Sequence, residues 1–398
     1  MGGVDAVEDW GASGLADLTG DPTGPPDFSR AQVLGYARGV TASYGEATGV
    51  DVDAAMLLAG RAGLLGFGRG GRMSAGGASR LFAARDGWCA LTLSRSDDVD
   101  AVPALVEAAE APADPWRAVE SWAVGRSAAE VTERARLLGL PAAALGEARA
   151  TPVAPRRIGE RTAPRGLSGL LVVDMSSMWA GPLCGQLLVR AGAVVVKVES
   201  RARPDGTRSG PAVFFDWMNS GKLSYAVDFD DPTRLRALLA VADVVLESSR
   251  PAALRHRGLG AEDVAGKPGR VWLRITGHGV DGDHANWVAF GDDAAVAGGL
   301  VGAGADGPVF CADAIADPLT GLQAALLVAE SLARGGGEVL DVAMAGIAAT
   351  YAQLPTGPSG GGPALPPRPP PASPPAAALG EHDVCVERLI DERGPAPC

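Results

Sequence analysis

Residues 170–208, LLVVDMSSMWAGPLCGQLLVRAGAVVVKVESRARPDGTR, restrict the possible folds more than any other part of the chain. Residues 170–174 are a short, mostly apolar run ending in Asp174, which predicts a buried strand. Ala180-Gly181-Pro182 breaks the chain, and Pro182 suits the first turn of a helix, where a missing N–H costs nothing. Leu183, Leu187, Leu188 and Ala191 then recur at helical spacing, and Gly192 ends the helix. Residues 194–198 predict a second buried strand. Strand, helix and strand in so short a span make one βαβ unit, so the two strands should be parallel. Ligands of such sheets bind beyond the carboxyl ends of the strands. Here those ends are residues 176–182 and 200–208.

The chain has 398 residues, 47% of them hydrophobic, which is enough for a sizeable core and two or three domains. Residues 1–70 are rich in Gly and Ala and carry helical patterns over 31–44 and 52–65. From 71 to 150 a small α+β domain is expected. LFAARDGWCALTLS reads as strand, Asp86-Gly87 turn and strand. Helices are predicted over 99–109, 115–124 and 128–137, the last opened by a Ser127/Glu130 capping box. A further strand is predicted near 141–145. Residues 151–167 read as a linker. Residues 168–352 alternate strands (170–174, 194–198, 243–247, 271–275) with helices (183–191, 231–241, 319–333, 340–351), the pattern of a Rossmann-like parallel α/β sheet. Residues 353–398 form a Pro/Gly-rich tail, extended and poorly packed by composition, with a terminal helix over 381–392. ASGLADLTGDPTGPP near the start echoes residues 297–308.

A net charge of −12 disfavours a nucleic-acid partner, so an anionic small ligand would need a local basic pocket. Lys197, Lys222 and Lys267 are the only lysines, and two of them lie in or just after 170–208. Cys89, Cys184, Cys311, Cys385 and Cys398 are scattered, with no CxxC spacing, so neither a disulfide framework nor a metal site is expected. The first residues lack a signal-peptide pattern and no apolar run is long enough to span a bilayer, so a cytoplasmic protein off the membrane is expected.

Five strings, in order, resemble the class III CoA-transferases, the CaiB/BaiF or formyl-CoA transferase family. They are LVVDMSSMWAGPLCGQLLVRAGAVVVKVES followed by PDGTR, FFDWMNSGKLSYAVDFD, ADVVLESSRPAALRHRGLG, ITGHGVDGDH and CADAIADPLTG. The tail ALGEHDVCVERL is also similar to the family's, but a Pro-rich bridge precedes it where members carry a small domain. The α+β unit at 71–150 looks like that domain moved forward, and 1–70 like a degenerate CoA-transferase segment.

The resemblance implies an acyl-CoA:carboxylate CoA-transferase that uses a CoA thioester as substrate, holds no permanent cofactor or metal, and forms a homodimer. It places the nucleophile at Asp317 in AIADPLTG, where a carboxylate attacks the thioester to give an acyl-aspartyl anhydride. On residues alone, Asp317-Pro318 reads as a helix start. Leu34 stands at the matching place of the N-terminal echo, so that copy is expected to be inert. The positions matching the family's CoA site are Trp179, Ala180, Arg201, Lys222, Arg250, Arg255, His256 and Arg257. A buried aromatic is the bland reading of Trp179, and a solvated charge that of each cation. Backbone N–H groups of Gly298-Gly299, or of Gly360-Gly361-Gly362, are candidates for the oxyanion donors.

Two alternatives follow from the same strings. The α-methylacyl-CoA racemases share the fold but pair the Asp with a His, where Phe290 stands here. Asp292 or Asp293 would have to supply the second proton-transferring group. The rearranged order also admits an inactive CoA-binding homologue.

Overall fold

The computed structural model describes residues 5–393; Cys398 and the outermost ends of the first and last expected segments lie outside them. The chain opens with helices α1 (Ala6–Ala12), α2 (Gln32–Thr48) and α3 (Ala54–Leu65). The Asp53 side chain caps α3 by accepting from the Ala55 and Met56 N–H groups, and Gly49 and Gly66 close α2 and α3 in left-handed backbone.

The predicted hairpin forms β1 (Ser79–Ala83) and β2 (Trp88–Thr92), and β3 (Ala142–Ala144) pairs with β2 to complete an antiparallel sheet. Four helices cover it: α4 (Ser96–Asp100), α5 (Val102–Leu105), α6 (Pro115–Ala123) and α7 (Ala128–Leu137). The helix expected over 99–109 is broken because Pro103 lacks the N–H needed to continue α4 and instead sits in the first turn of α5. The Ser127/Glu130 capping box is present.

The main sheet is built from β4 (Arg156–Arg157), β5 (Leu171–Met175), β6 (Val194–Ser200), β7 (Leu223–Val227), β8 (Val244–Glu247) and β9 (Val271–Thr276), joined later by β12 (Glu338–Ala343). Between them lie α8 (Ala180–Arg190), α9 (Ala212–Asn219), α10 (Thr233–Val241) and α11 (Pro251–Arg255). After β9 come α12 (Gly291–Ala297), the hairpin β10 (Val301–Gly304) and β11 (Gly307–Phe310), α13 (Ala316–Ala333), α14 (Met344–Ala352) and finally α15 (Asp383–Arg393).

The strand order is β4-β12-β9-β8-β5-β6-β7, parallel except for the edge strand β4. Thus the fold is a mixed α/β one with a mostly parallel sheet, as the βαβ reading of 170–208 requires. Residues 340–351, expected as one helix, are the end of β12 followed by α14. The apolar run there fits either state by periodicity, and Asp341 opposite Arg274 on β9 selects the strand.

One hydrophobic cluster joins Trp10, Leu34 and Leu58 to Leu183, Leu273 and Leu319, so residues from the first helices share the core of the parallel sheet. The small α+β unit keeps a cluster of its own around Leu91, Val119 and Val131. The Pro-rich tail is extended, as composition predicts, but it is docked rather than poorly packed. Phe28 N–H donates to the Ser359 carbonyl at 2.9 Å, Leu365 N–H to that of Gly11 at 2.9 Å, and Ala376 N–H to Asp216 Oδ1 at 2.8 Å. No helix among the described residues is long and apolar enough to cross a membrane.

Candidate active site

Strand order reverses at β5. From β5 the chain adds β6 and β7 on one side, then returns to place β8, β9 and β12 on the other. The crevice between the carboxyl ends of β5 and β8 is therefore a topological switch point, where ligands of such sheets bind. The loops leaving these strands touch: Ser177 N–H donates to Ser248 Oγ at 3.2 Å.

Two of the three lysines brace this crevice from beneath. Lys197 on β6 donates to Asp205 Oδ2 at 2.8 Å and to the Ser176 carbonyl at 3.1 Å. Asp205 in turn accepts the Met178 N–H at 3.2 Å. Lys222 donates to Asp174 Oδ2 (2.9 Å), the Pro182 carbonyl (2.8 Å) and Asn219 Oδ1 (3.1 Å). All three ammonium protons are thereby engaged, and the side chain is buried.

Asp317 lies in the first turn of α13, where the N-termini of α8 and α12 also arrive. Gly291 N–H, at the start of α12, donates to Asp317 Oδ2 at 3.0 Å. The approach is left-handed at Ala312 (φ 55°) and Ala314 (φ 42°), and Met178 (φ 73°) repeats that conformation in the facing loop. Non-glycine residues resist such backbone, and it persists where surrounding contacts enforce it, typically at functional sites.

Asp317 is half-buried, and burial pushes its carboxyl up to about 7; Arg61 pulls it down, Asp292 pushes it up, and the Ala180 and Gly291 N–H groups lower it. Asp313, fully buried, is pushed by burial up to about 6, against the pull of Arg61. Asp292 accepts from Ala314 N–H (3.0 Å) and Ser79 Oγ (3.0 Å), and burial raises its carboxyl too. Asp293 accepts from Thr92 Oγ1 (2.8 Å) and Phe290 N–H (3.0 Å), and burial brings it to about 7. Four carboxyl groups thus gather at one end of the sheet, two of them held by hydroxyls of the small α+β unit.

The residues singled out in the sequence divide into three groups. Asp317, Ala180 and Trp179 come together. Trp179 is the buried residue before α8, edge-on to Phe214 with ring centroids 5.5 Å apart, and its indole N–H has no protein partner. Arg201, Arg250, Arg255, His256 and Arg257 are exposed, Arg201 beside Asp383 and Arg257 3.2 Å from Asp230. Lys222, Gly298 and Gly299 are engaged elsewhere. Gly298 N–H donates to the Ala294 carbonyl and Gly299 N–H to that of Val296, so both end α12 and neither is a free donor. Gly361 packs on the Phe28 ring, within the docked tail. Leu34, at the echo position, is fully buried on α2.

Arg61, Asp313 and Gly291 were not legible as site residues. A Gly directly before an Asp pair at a helix start was the available signal for Gly291. Arg61 sits in a helical pattern with nothing to separate it from a solvated arginine.

The family model described as CoA-transferase family III matches residues 167–370. Succinyl-CoA–D-citramalate CoA-transferase of Chloroflexus aurantiacus is 29% identical over 197 residues, covering 45% of this chain and 49% of the relative. A probable fatty acyl-CoA transferase of Mycobacterium tuberculosis is 36% identical over 135 residues, covering 30% of this chain and 34% of the relative. A CaiB/BaiF family protein from Brucella suis, of known structure, is 30% identical and covers 47% of this chain and 55% of its own, with a TM-score of 0.43. The chain spans about half the length, or less, of the curated relatives it matches.

Proposed function

The chain belongs to CoA-transferase family III, and we propose that it transfers coenzyme A between an acyl-CoA and a carboxylic acid, with Asp317 as the nucleophile. The observation that carries this reading is the Asp317 carboxyl itself. It sits at the switch-point end of the sheet with Gly291 N–H on Oδ2, and burial brings it to about 7. Such a group is partly ionised at neutral pH and more basic than a solvated carboxylate, which favours nucleophilic attack.

In the first step an Asp317 oxygen attacks the thioester carbonyl. A C–O bond forms, the C–S bond breaks, and coenzyme A leaves as the thiolate, giving an acyl-aspartyl anhydride. The thiolate then attacks the aspartyl carbonyl of that anhydride and releases the donor acid. An acceptor carboxylate repeats the exchange in reverse. The N-terminal partial charges of α8, α12 and α13 favour the negative charge that develops beside Asp317.

The exposed Arg250, Arg255, His256 and Arg257, at and beyond the carboxyl end of β8, are proposed to receive the CoA phosphates, with Arg201 on the neighbouring loop. A homodimer and a cytoplasmic location are proposed on the family resemblance alone; light scattering tests the first and cell fractionation the second.

Incubation with succinyl-CoA, the donor named for the Chloroflexus relative, and with other acyl-CoA thioesters in the presence of hydroxylamine tests the mechanism. Aspartyl hydroxamate at Asp317, absent in Asp317→Ala, is the expected result. Undiminished turnover in Asp317→Ala overturns the assignment.

A further inference from the structure

Arg61 lies on α3, well before the segment that the family model matches. Its Nη1 donates to Asp313 Oδ1 at 3.3 Å. Its guanidinium carbon also stands 5.0 Å from the Trp179 ring centroid, 5.4 Å from that of Phe214 and 5.5 Å from that of Phe67. A planar cation can use both faces in this way, stacking on rings while its edge donates to a carboxylate.

The two anchors are the segments that border Asp317. Asp313 belongs to the strained run Ala312–Ala314, and the Ala314 carbonyl accepts the Asp317 N–H at 2.9 Å. Trp179 directly precedes Ala180, the first residue of α8. One side chain therefore spans from the loop before α13 to the loop before α8. The charged groups facing Asp317 are Arg61 from α3 and Asp292 from α12, with Asp313 paired to Arg61.

We infer that Arg61 is a positioning residue for Asp317: by tying Asp313 to Trp179 it fixes the two loops around the carboxyl, and it sets one positive charge among three acids. The N-terminal segment thereby completes the site of the matched domain. This inference rests on the reading of Asp317 as the nucleophile.

The test uses the full chain with Arg61→Gln and Arg61→Lys, checked for folding by thermal melts. The pH dependence of aspartyl-hydroxamate capture at Asp317 from succinyl-CoA is one readout. The Asp317 titration, followed by carbon NMR of labelled aspartate and assigned with Asp317→Asn, is the other. Loss of an opposite charge at this range moves a carboxyl by about one pH unit or more. Arg61→Gln is expected to move the acidic limb and the titration upward by about that much, with capture near pH 7 down by roughly fivefold. Arg61→Lys, which keeps the charge but loses the fork and the stacking, is expected to move both upward by less. Asp292→Asn, which removes the opposing charge, is expected to move both downward. A folded Arg61→Gln or Arg61→Lys protein with limb and titration unmoved overturns the inference. The NMR arm needs no substrate, so absence of capture in the unmodified chain counts against the nucleophile reading while the Arg61 question is still answered.

Discussion

Gly291 and Asp317 are in contact through the smallest group a residue can offer. The Gly291 N–H reaches Asp317 Oδ2 at 3.0 Å, and a Cβ on Gly291 would stand 2.4 Å from that oxygen and 2.3 Å from the Ala314 carbonyl oxygen. Because one of the two obstacles is backbone, the carboxyl cannot keep its place by a rotamer change. Gly291→Ala is therefore expected to displace Asp317 while leaving the fold intact. Loss of a single aligned donor, or a shift of about 1 Å in a reacting group, costs on the order of 10²-fold in rate. Steady-state kinetics should show kcat down by about that factor with an unchanged circular dichroism spectrum.

The buried acids give stability a pH dependence of definite sign. Burial brings Asp317, Asp293 and Glu247 to about 7 and Asp313 to about 6, all above the ordinary carboxylate range. Through the range between the unfolded and folded values the folded chain holds more protons than the unfolded one, so stability falls as pH rises. His278 opposes this: burial lowers it to about 3, and the unfolded chain takes up that proton below the ordinary imidazole value of 6.5. Carboxylates held low, such as Asp205 and Asp243, lose their contribution only below the ordinary aspartate value of 3.8, outside this window. With these four acids, and Asp292 raised as well, against one imidazole, melting temperature should be higher at pH 6 than at pH 8.5. Asp293→Asn should flatten the slope. A melting temperature that rises with pH across this window would contradict the assignment.

Much of this architecture was visible in the residues because local signals agreed. The run 170–174, the Pro182 helix start and Gly192 together specified β5 and α8, and the Ser127/Glu130 pair located α7. The Asp317-Pro318 step marked the start of α13, where the carboxyl is found. What stayed hidden depends on contacts between distant segments. Arg61 reaches Asp313 across 252 residues, and Ser79 reaches Asp292 across 213. No local pattern encodes either pairing. Lys222 shows the converse: its place in a family string suggested a phosphate ligand, whereas burial beside Asp174 turned its charge inward.

Lys222 supplies a prediction that separates scaffold from ligand. Removing one member of a buried, hydrogen-bonded ion pair leaves an uncompensated charge, at a cost of about 3–5 kcal/mol. Lys222→Ala strands Asp174 together with the Pro182 carbonyl and Asn219, and should lower the melting temperature sharply. Arg250→Ala changes an exposed side chain, so it should leave stability within about 0.5 kcal/mol and raise the KM for acyl-CoA. A stable Lys222→Ala protein with only a raised KM would reassign that lysine to substrate.

The docked tail depends on glycines of the N-terminal segment. A Cβ on Gly63 would stand 2.4 Å from the Arg368 carbonyl carbon, one on Gly11 2.5 Å from the Pro363 carbonyl oxygen, and one on Gly14 2.5 Å from Pro367 Cα. In each case the obstacle is backbone, so the tail must lift or the N-terminal segment beneath it must shift. Gly39, in the middle of α2, has open space around its Cβ position. Adding a methyl group within a helix normally stabilises by roughly 0.5–1 kcal/mol. Gly39→Ala should follow that rule and raise the melting temperature. Gly63→Ala should instead release the tail, despite equal helix propensity gained. Hydrogen exchange reads this directly, because the Leu365 N–H donates to Gly11 and the Gly357 N–H to Ser29. Faster exchange of a peptide spanning 357–365 in Gly63→Ala, and none in Gly39→Ala, is expected. Equal protection in both variants would mean that proline stiffness alone, rather than the glycine track beneath it, keeps the tail in place.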